Sequence, residues 1–128
     1  MTKILIVDDD KQVTVLFERY LLSQGYEITS LNKSSLAVET ALAVNPDLFI
    51  LDLMMPEPDG FKLCRQLRTF PNFKYTPILI VTALSDKDSK AIAFGAGADD
   101  YLAKPFPIEE LVNRVIRLID KSGQKGDI

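Results

Sequence analysis

Three unbroken apolar runs, Ile4–Val7, Leu48–Leu51 and Ile78–Val81, recur along the chain with mixed sequence between them. A strand with one wet face alternates apolar and polar residues. A run without alternation is covered on both faces, as strands of a parallel sheet are. Tyr26–Leu31 is more mixed and reads as an edge strand, and the very short Tyr101–Ala103 reads as the opposite edge. The intervening segments are helical. Val13, Leu16, Phe17, Tyr20 and Leu21 form one buried stripe at i, i+3, i+4, i+7, i+8 spacing, and Gly25 fits the stop that follows. Ser34 or Ser35 opens a second helix that ends before Asn45-Pro46. Asp59 is placed to cap a third helix through Leu67. Ser85 with Asp88 has the spacing of a capping box for a fourth, which stops near Gly95-Ala96-Gly97. Pro107, Glu109 and Glu110 suit the first turn of a fifth helix, with Leu111, Val112, Val115, Ile116, Leu118 and Ile119 as its stripe. Phe70, Phe73 and Tyr75 lie in a long connection and read as cover for the sheet edge.

Five strands alternating with five helices predict an α/β three-layer sandwich, because short crossovers are right-handed and put helices on both faces. Buried strands one, three and four with weak edges two and five give a five-stranded parallel sheet in the order 2-1-3-4-5, the flavodoxin-like arrangement. The expected organisation is one domain over residues 1–121, followed by a flexible polar tail over 122–128.

Composition narrows the chemistry. The 128 residues suit a single core. Fifteen basic against eighteen acidic residues leave a net charge of −3, which argues against direct nucleic-acid binding. No apolar stretch approaches the ~20 residues of a membrane span. The start lacks the apolar core of a signal peptide, so a cytoplasmic location is expected. The lone Cys64 excludes an internal disulfide. The absence of histidine excludes a histidine-based triad, a histidine metal site and a phosphohistidine carrier.

In an open α/β sheet, ligands bind beyond the carboxyl ends of the strands. Asp8 and Asp9 follow the first apolar run, Asp52 the third strand and Thr82 the fourth, and Lys104 follows the fifth. Carboxylates gathered there repel one another by about 1–4 kcal/mol per pair at ~4 Å. Lys104 and a divalent cation together balance three acids. Such a site accepts a phosphoryl group, with Asp52 as the attacking carboxylate.

Val7-Asp8-Asp9, Leu51-Asp52-Leu53-Met54-Met55-Pro56, Asp59-Gly60, Val81-Thr82-Ala83, Gly97-Ala98-Asp99-Asp100-Tyr101 and Lys104-Pro105-Phe106 occur in order, each at a strand end or helix start. In this the chain, from about Lys3 to Ile119, resembles a response-regulator receiver domain of two-component signalling, the family of the stand-alone chemotaxis regulator. The resemblance implies that Asp52 is the phosphoacceptor. It implies Mg2+ held by Asp9, Asp52 and the backbone carbonyl of Met54, with Asp8 acting through a water. Lys104 would contact the phosphoryl group, and its bond to Pro105 would be cis. Ala83 would leave room for that group and donate its N–H. Thr82 and Tyr101 would form a switch pair, Tyr101 turning inward as Thr82 moves. Met54 and Leu84, both apolar, would leave the acyl phosphate slow to hydrolyse.

The function implied is a signalling switch, not an enzyme with a separate substrate, although Mg2+-dependent self-phosphorylation and self-dephosphorylation belong to it. A histidine kinase or histidine phosphotransfer protein would supply the phosphoryl group. A downstream protein partner would read the face of the fourth helix, fifth strand and fifth helix. Asp100, Arg114 and Lys87 partly match charged positions used for dimerisation in the winged-helix branch, so the chain is expected as a monomer or a phosphorylation-dependent homodimer. Two rival classes fit less well. A magnesium-dependent aspartyl phosphohydrolase wants a second acid two residues beyond the nucleophile, where this chain has Met54. A flavin carrier wants a phosphate-cradling loop where this chain has three aspartates.

Overall fold

The computed structural model describes residues 1–126, with side chains through Gly123. Five strands, β1 (Lys3–Val7), β2 (Glu27–Leu31), β3 (Leu48–Leu51), β4 (Ile78–Thr82) and β5 (Asp100–Ala103), form one parallel sheet in the order β2-β1-β3-β4-β5. Five helices alternate with them: α1 (Lys11–Leu22), α2 (Ala37–Val44), α3 (Gly60–Arg68), α4 (Lys87–Gly95) and α5 (Ile108–Gly126). This is the expected sandwich. Every residue of β3 and β4 is buried, whereas β2 is only half-buried at its edge.

Alternation along each strand divides the interior into two cores. Leu5, Val7, Phe49, Leu51, Ile78, Ile80 and Tyr101 pack with Ala41, Leu63, Leu67 and Ala93 on the α2–α3–α4 side. Ile4, Ile6, Leu48, Ile50, Leu79, Val81 and Leu102 pack with Phe17, Leu21, Leu111 and Val115 on the α1–α5 side. Among the described residues no helix is long and apolar enough to cross a membrane.

The helix boundaries follow local chemistry. Asp10 accepts from the Gln12 and Val13 amides and caps α1; Asp59 accepts from the Lys62 amide and caps α3. Gly25 and Gly97 take the positive φ values of 90° and 115° that follow α1 and α4. Four expectations change. The cap of α4 is Asp86, which accepts from the Ser89 amide at 3.0 Å, in place of the Ser85–Asp88 box. Ser34 begins a 3-10 turn, Ser34–Leu36, that precedes α2. Phe73 does not cover the sheet edge. It is fully buried in a 3-10 turn and meets Phe49 edge to face at 5.2 Å, while Tyr75 stays in solvent. Finally, α5 continues through Gly126, across the Ser122 position assigned to the tail. The apolar stripe ends earlier, but Lys, Ser and Gln all tolerate helical geometry, so nothing stops the ladder there. Residues 127–128 of that tail lie outside the described residues.

Candidate phosphoacceptor site at the strand carboxyl ends

Register brings the chemistry together. Val7 lies opposite Leu51, and Thr82 opposite Ala103, so the next residues of these strands converge on one edge. The carboxylates of Asp8, Asp9 and Asp52 offer oxygens that all lie within 4.8 Å of one another. Asp8 and Asp52 are buried, at 2% and 7% exposure, and Asp9 is exposed. Lys104 reaches across, its Nζ 2.9 Å from Asp8 Oδ2 and 3.4 Å from Asp52 Oδ2. One ammonium against three carboxylates leaves the cluster two positive charges short. An all-oxygen donor set of this kind fits a hard divalent cation such as Mg2+.

The loop holding Lys104 is pinned at both ends. Its amide donates to the Thr82 carbonyl at 2.7 Å. Two residues on, Phe106 packs against Phe17 of α1 with ring centroids 6.1 Å apart. The Lys104-Pro105 bond is cis, as the resemblance implied, and so is Glu57-Pro58. Burial pushes the Asp8 carboxyl above its ordinary range and the nearby Asp52 adds to this, while hydrogen bonds from the Asp10 amide and Lys104 pull the other way. Burial also works against the Lys104 charge, but its bonds and attraction to Asp8 and Asp52 outweigh it, and its net shift is upward. The pair is therefore unequal: Lys104 holds its proton firmly, and Asp8 is the more easily neutralised partner.

The remaining site residues stand around this centre. Met54 donates its amide to Asp52 Oδ1 at 3.2 Å and leaves its side chain half-exposed beside the cluster. Thr82 is fully buried, and its Oγ1 accepts from the Leu84 amide at 3.4 Å; Ala83 between them is exposed. Tyr101 differs from the expectation of an inward turn that waits on Thr82. It is already buried, and its hydroxyl donates to the Leu84 carbonyl at 2.6 Å. That carbonyl offers a strong partner inside, and Phe94 and Lys90 lie over the ring.

Three supports escaped the sequence reading. Gly60 lies so close to the end of β3 that a Cβ there would run into the Asp52 carbonyl oxygen and the Leu53 Cα. Only glycine lets α3 start against the Asp52 backbone; the Asp59-Gly60 pair marked a helix start but not this contact. Asn32 donates to the Asp8 carbonyl at 2.9 Å and to Thr14 Oγ1 at 3.1 Å, with no sequence signal beyond its place after β2. Arg68 donates to the carbonyls of Gly97, Phe73 and Thr76 and to the Asp99 carboxylate.

Fold and site together define an α/β domain with an acidic, lysine-bridged cluster at its strand ends. A sequence model of the response regulator receiver domain matches residues 4–116, and the chain belongs to that family. It is 41% identical over 123 residues to the transcriptional regulatory protein ResD of Bacillus subtilis, covering 96% of this chain and 50% of ResD. The chain thus spans about half the length of the curated relatives it matches. Among solved structures it is similar to the chemotaxis protein CheY4 of Vibrio cholerae, with TM-score 0.88 and 30% identity over 92% of this chain and 98% of that one. It is also similar to the receiver domain of the Francisella response regulator 1452, with TM-score 0.87 and 33% identity over 95% of this chain and 99% of that one.

Proposed function

We propose that this chain is a phosphorylation-controlled switch that takes a phosphoryl group onto Asp52 from the phosphohistidine of a histidine kinase or phosphotransfer protein. The observation that carries this reading is the Asp8, Asp9 and Asp52 cluster within 4.8 Å, bridged by one Lys104 ammonium. An Asp52 oxygen attacks phosphorus, the phosphorus–nitrogen bond of the donor breaks, and the released imidazole takes up a proton. Lys104 stands where it can follow the transferred oxygens as a point charge. Among the described residues nothing accepts from the Ala83 amide, which would donate to one of them. Asp8, Asp9, Asp52 and the Met54 carbonyl would hold Mg2+, which when bound offsets phosphoryl charge in the transition state. Thr82 would bond a phosphoryl oxygen, and α4, β5 and α5 would pass the change to a protein partner. Met54 and Leu84 place no group to orient an attacking water, so the acyl phosphate should be long-lived.

Acetyl phosphate with Mg2+ should add one phosphoryl group, read by intact mass and removed by hydroxylamine. Asp52→Asn should add none. Equal labelling of that variant, or a label mapped to another residue, would remove Asp52 as the acceptor.

A further inference from the structure

Among the described residues no hydrogen bond holds the carboxylate of Asp9, although it belongs to the acidic cluster. Its place in the cluster is therefore anchored by the backbone that carries it, with only its own side-chain torsions left to turn. The Asp8 carbonyl and the Asp9 amide share one rigid peptide plane that ends at the Asp9 Cα, so whatever fixes that carbonyl also fixes the point from which the Asp9 side chain springs. The Asp8 amide donates to the Leu31 carbonyl at 3.1 Å, and the Asp8 carbonyl accepts from Asn32 Nδ2 at 2.9 Å. The same Nδ2 donates to Thr14 Oγ1 at 3.1 Å, and that hydroxyl donates to the Lys11 carbonyl at 3.0 Å. Thr14 is 2% exposed, a buried hydroxyl that serves as both donor and acceptor. A short relay thus runs from the first turn of α1, through Thr14 and Asn32, to the peptide between the two leading acids.

We infer that Asn32, seated by Thr14, is a positioning residue for the divalent-cation site: it holds the Asp8–Asp9 peptide so that the Asp9 carboxylate faces the metal. The inference rests on the proposed Mg2+ site. Neither side chain belongs to the acidic cluster that would hold the metal. Groups one step removed from a metal commonly change its affinity by about 10–100-fold, because ligands left free to turn must be ordered on binding. Asn32 and Thr14 act in series, so losing either breaks the same relay, and losing both should cost little more than losing one.

The test is a Mg2+ titration of the full chain, followed by backbone amide shifts, on wild type, Asn32→Ala, Thr14→Val, Thr14→Ser and the Asn32→Ala/Thr14→Val pair. Asn32→Ala and Thr14→Val should each weaken the Mg2+ dissociation constant about tenfold, and the double variant by about the same factor. Thr14→Ser, which keeps the hydroxyl, should stay near wild type. The rate of labelling by acetyl phosphate at saturating Mg2+ should remain within about twofold of wild type in Asn32→Ala, a split between affinity and chemistry that general loosening of the fold would not produce. An unchanged dissociation constant in Asn32→Ala, or losses that multiply in the double variant, would overturn the relay while leaving the metal site standing. A wild-type chain with no response to Mg2+ would overturn both.

Discussion

Asp8 accepts from Lys104 and the Asp10 amide, which favour its charge, but its burial disfavours that charge more strongly. Its folded carboxyl lies above the ordinary 3.8, so its contribution to stability is complete below that value and is lost as pH rises through the raised one. Near neutral pH the metal-free fold therefore carries a penalty at Asp8. Asp8→Asn keeps the shape and leaves Lys104 paired with Asp52. We expect this variant, in chelator, to melt a few degrees higher at neutral pH, which corresponds to about 1 kcal/mol in a domain of this size, with the gain shrinking as pH falls toward 3.8. Thermal unfolding across pH measures it, and a lower melting point at neutral pH would show that the Lys104 pair outweighs burial. The acids and Lys104 were legible in sequence because each follows an apolar run. Gly60 and Asn32 were not, because their roles exist only once β3 and β1 lie beside α3 and β2.

α4 is the most lightly packed of the helices. Its only fully buried residue is Ala93, and Ile92 and Phe94 are about half-exposed. Its C-terminal end is nevertheless tied down. Arg68 binds the Gly97 carbonyl through two nitrogens, and the Cys64 thiol points at the Ala96 carbonyl 3.4 Å away. Burial raises that thiol to about 11, so it stays a protonated, inert part of the core. Arg68→Ala would leave the Gly97, Phe73 and Thr76 carbonyls without this donor. We expect a loss of about 2–4 kcal/mol and faster amide exchange across Ala96–Asp99, while Lys87–Ala91 changes little. Uniform acceleration along α4 would mean that Arg68 supports the whole domain and not this end. On the exposed side of α5, Arg114 joins Asp100 at 2.9 Å and Glu110 at 2.8 Å within the chain. Element identity was legible throughout, because apolar period and turn residues agree. The α4 start was off by one residue because Ser85-x-x-Asp88 and Asp86-x-x-Ser89 both fit cap spacing, and only backbone geometry decides between them. Phe73 escaped because burial of a loop aromatic is a tertiary fact.

At the scale of the whole molecule, the sheet is a wall between two closed cores. Phe49 and Phe73 touch on one side, whereas Val115 lies on the other. Phe49→Leu and Phe73→Leu should each cost about 1–3 kcal/mol and couple when combined, because each changes the space left for the other. Phe73→Leu with Val115→Ala should add within ~0.5 kcal/mol. Denaturant titration of the five variants decides it, and coupling across the sheet as strong as that within one core would dissolve the distinction. Tyr101 belongs to the first core and Leu102, its neighbour, to the second. Two lineages of mutation can therefore accumulate in one chain almost without consulting each other. One retunes the side that carries α4 and the Tyr101 ring; the other retunes the side that carries α1 and α5. Both answer to a single shared constraint, the short edge where the strands end and the acids meet.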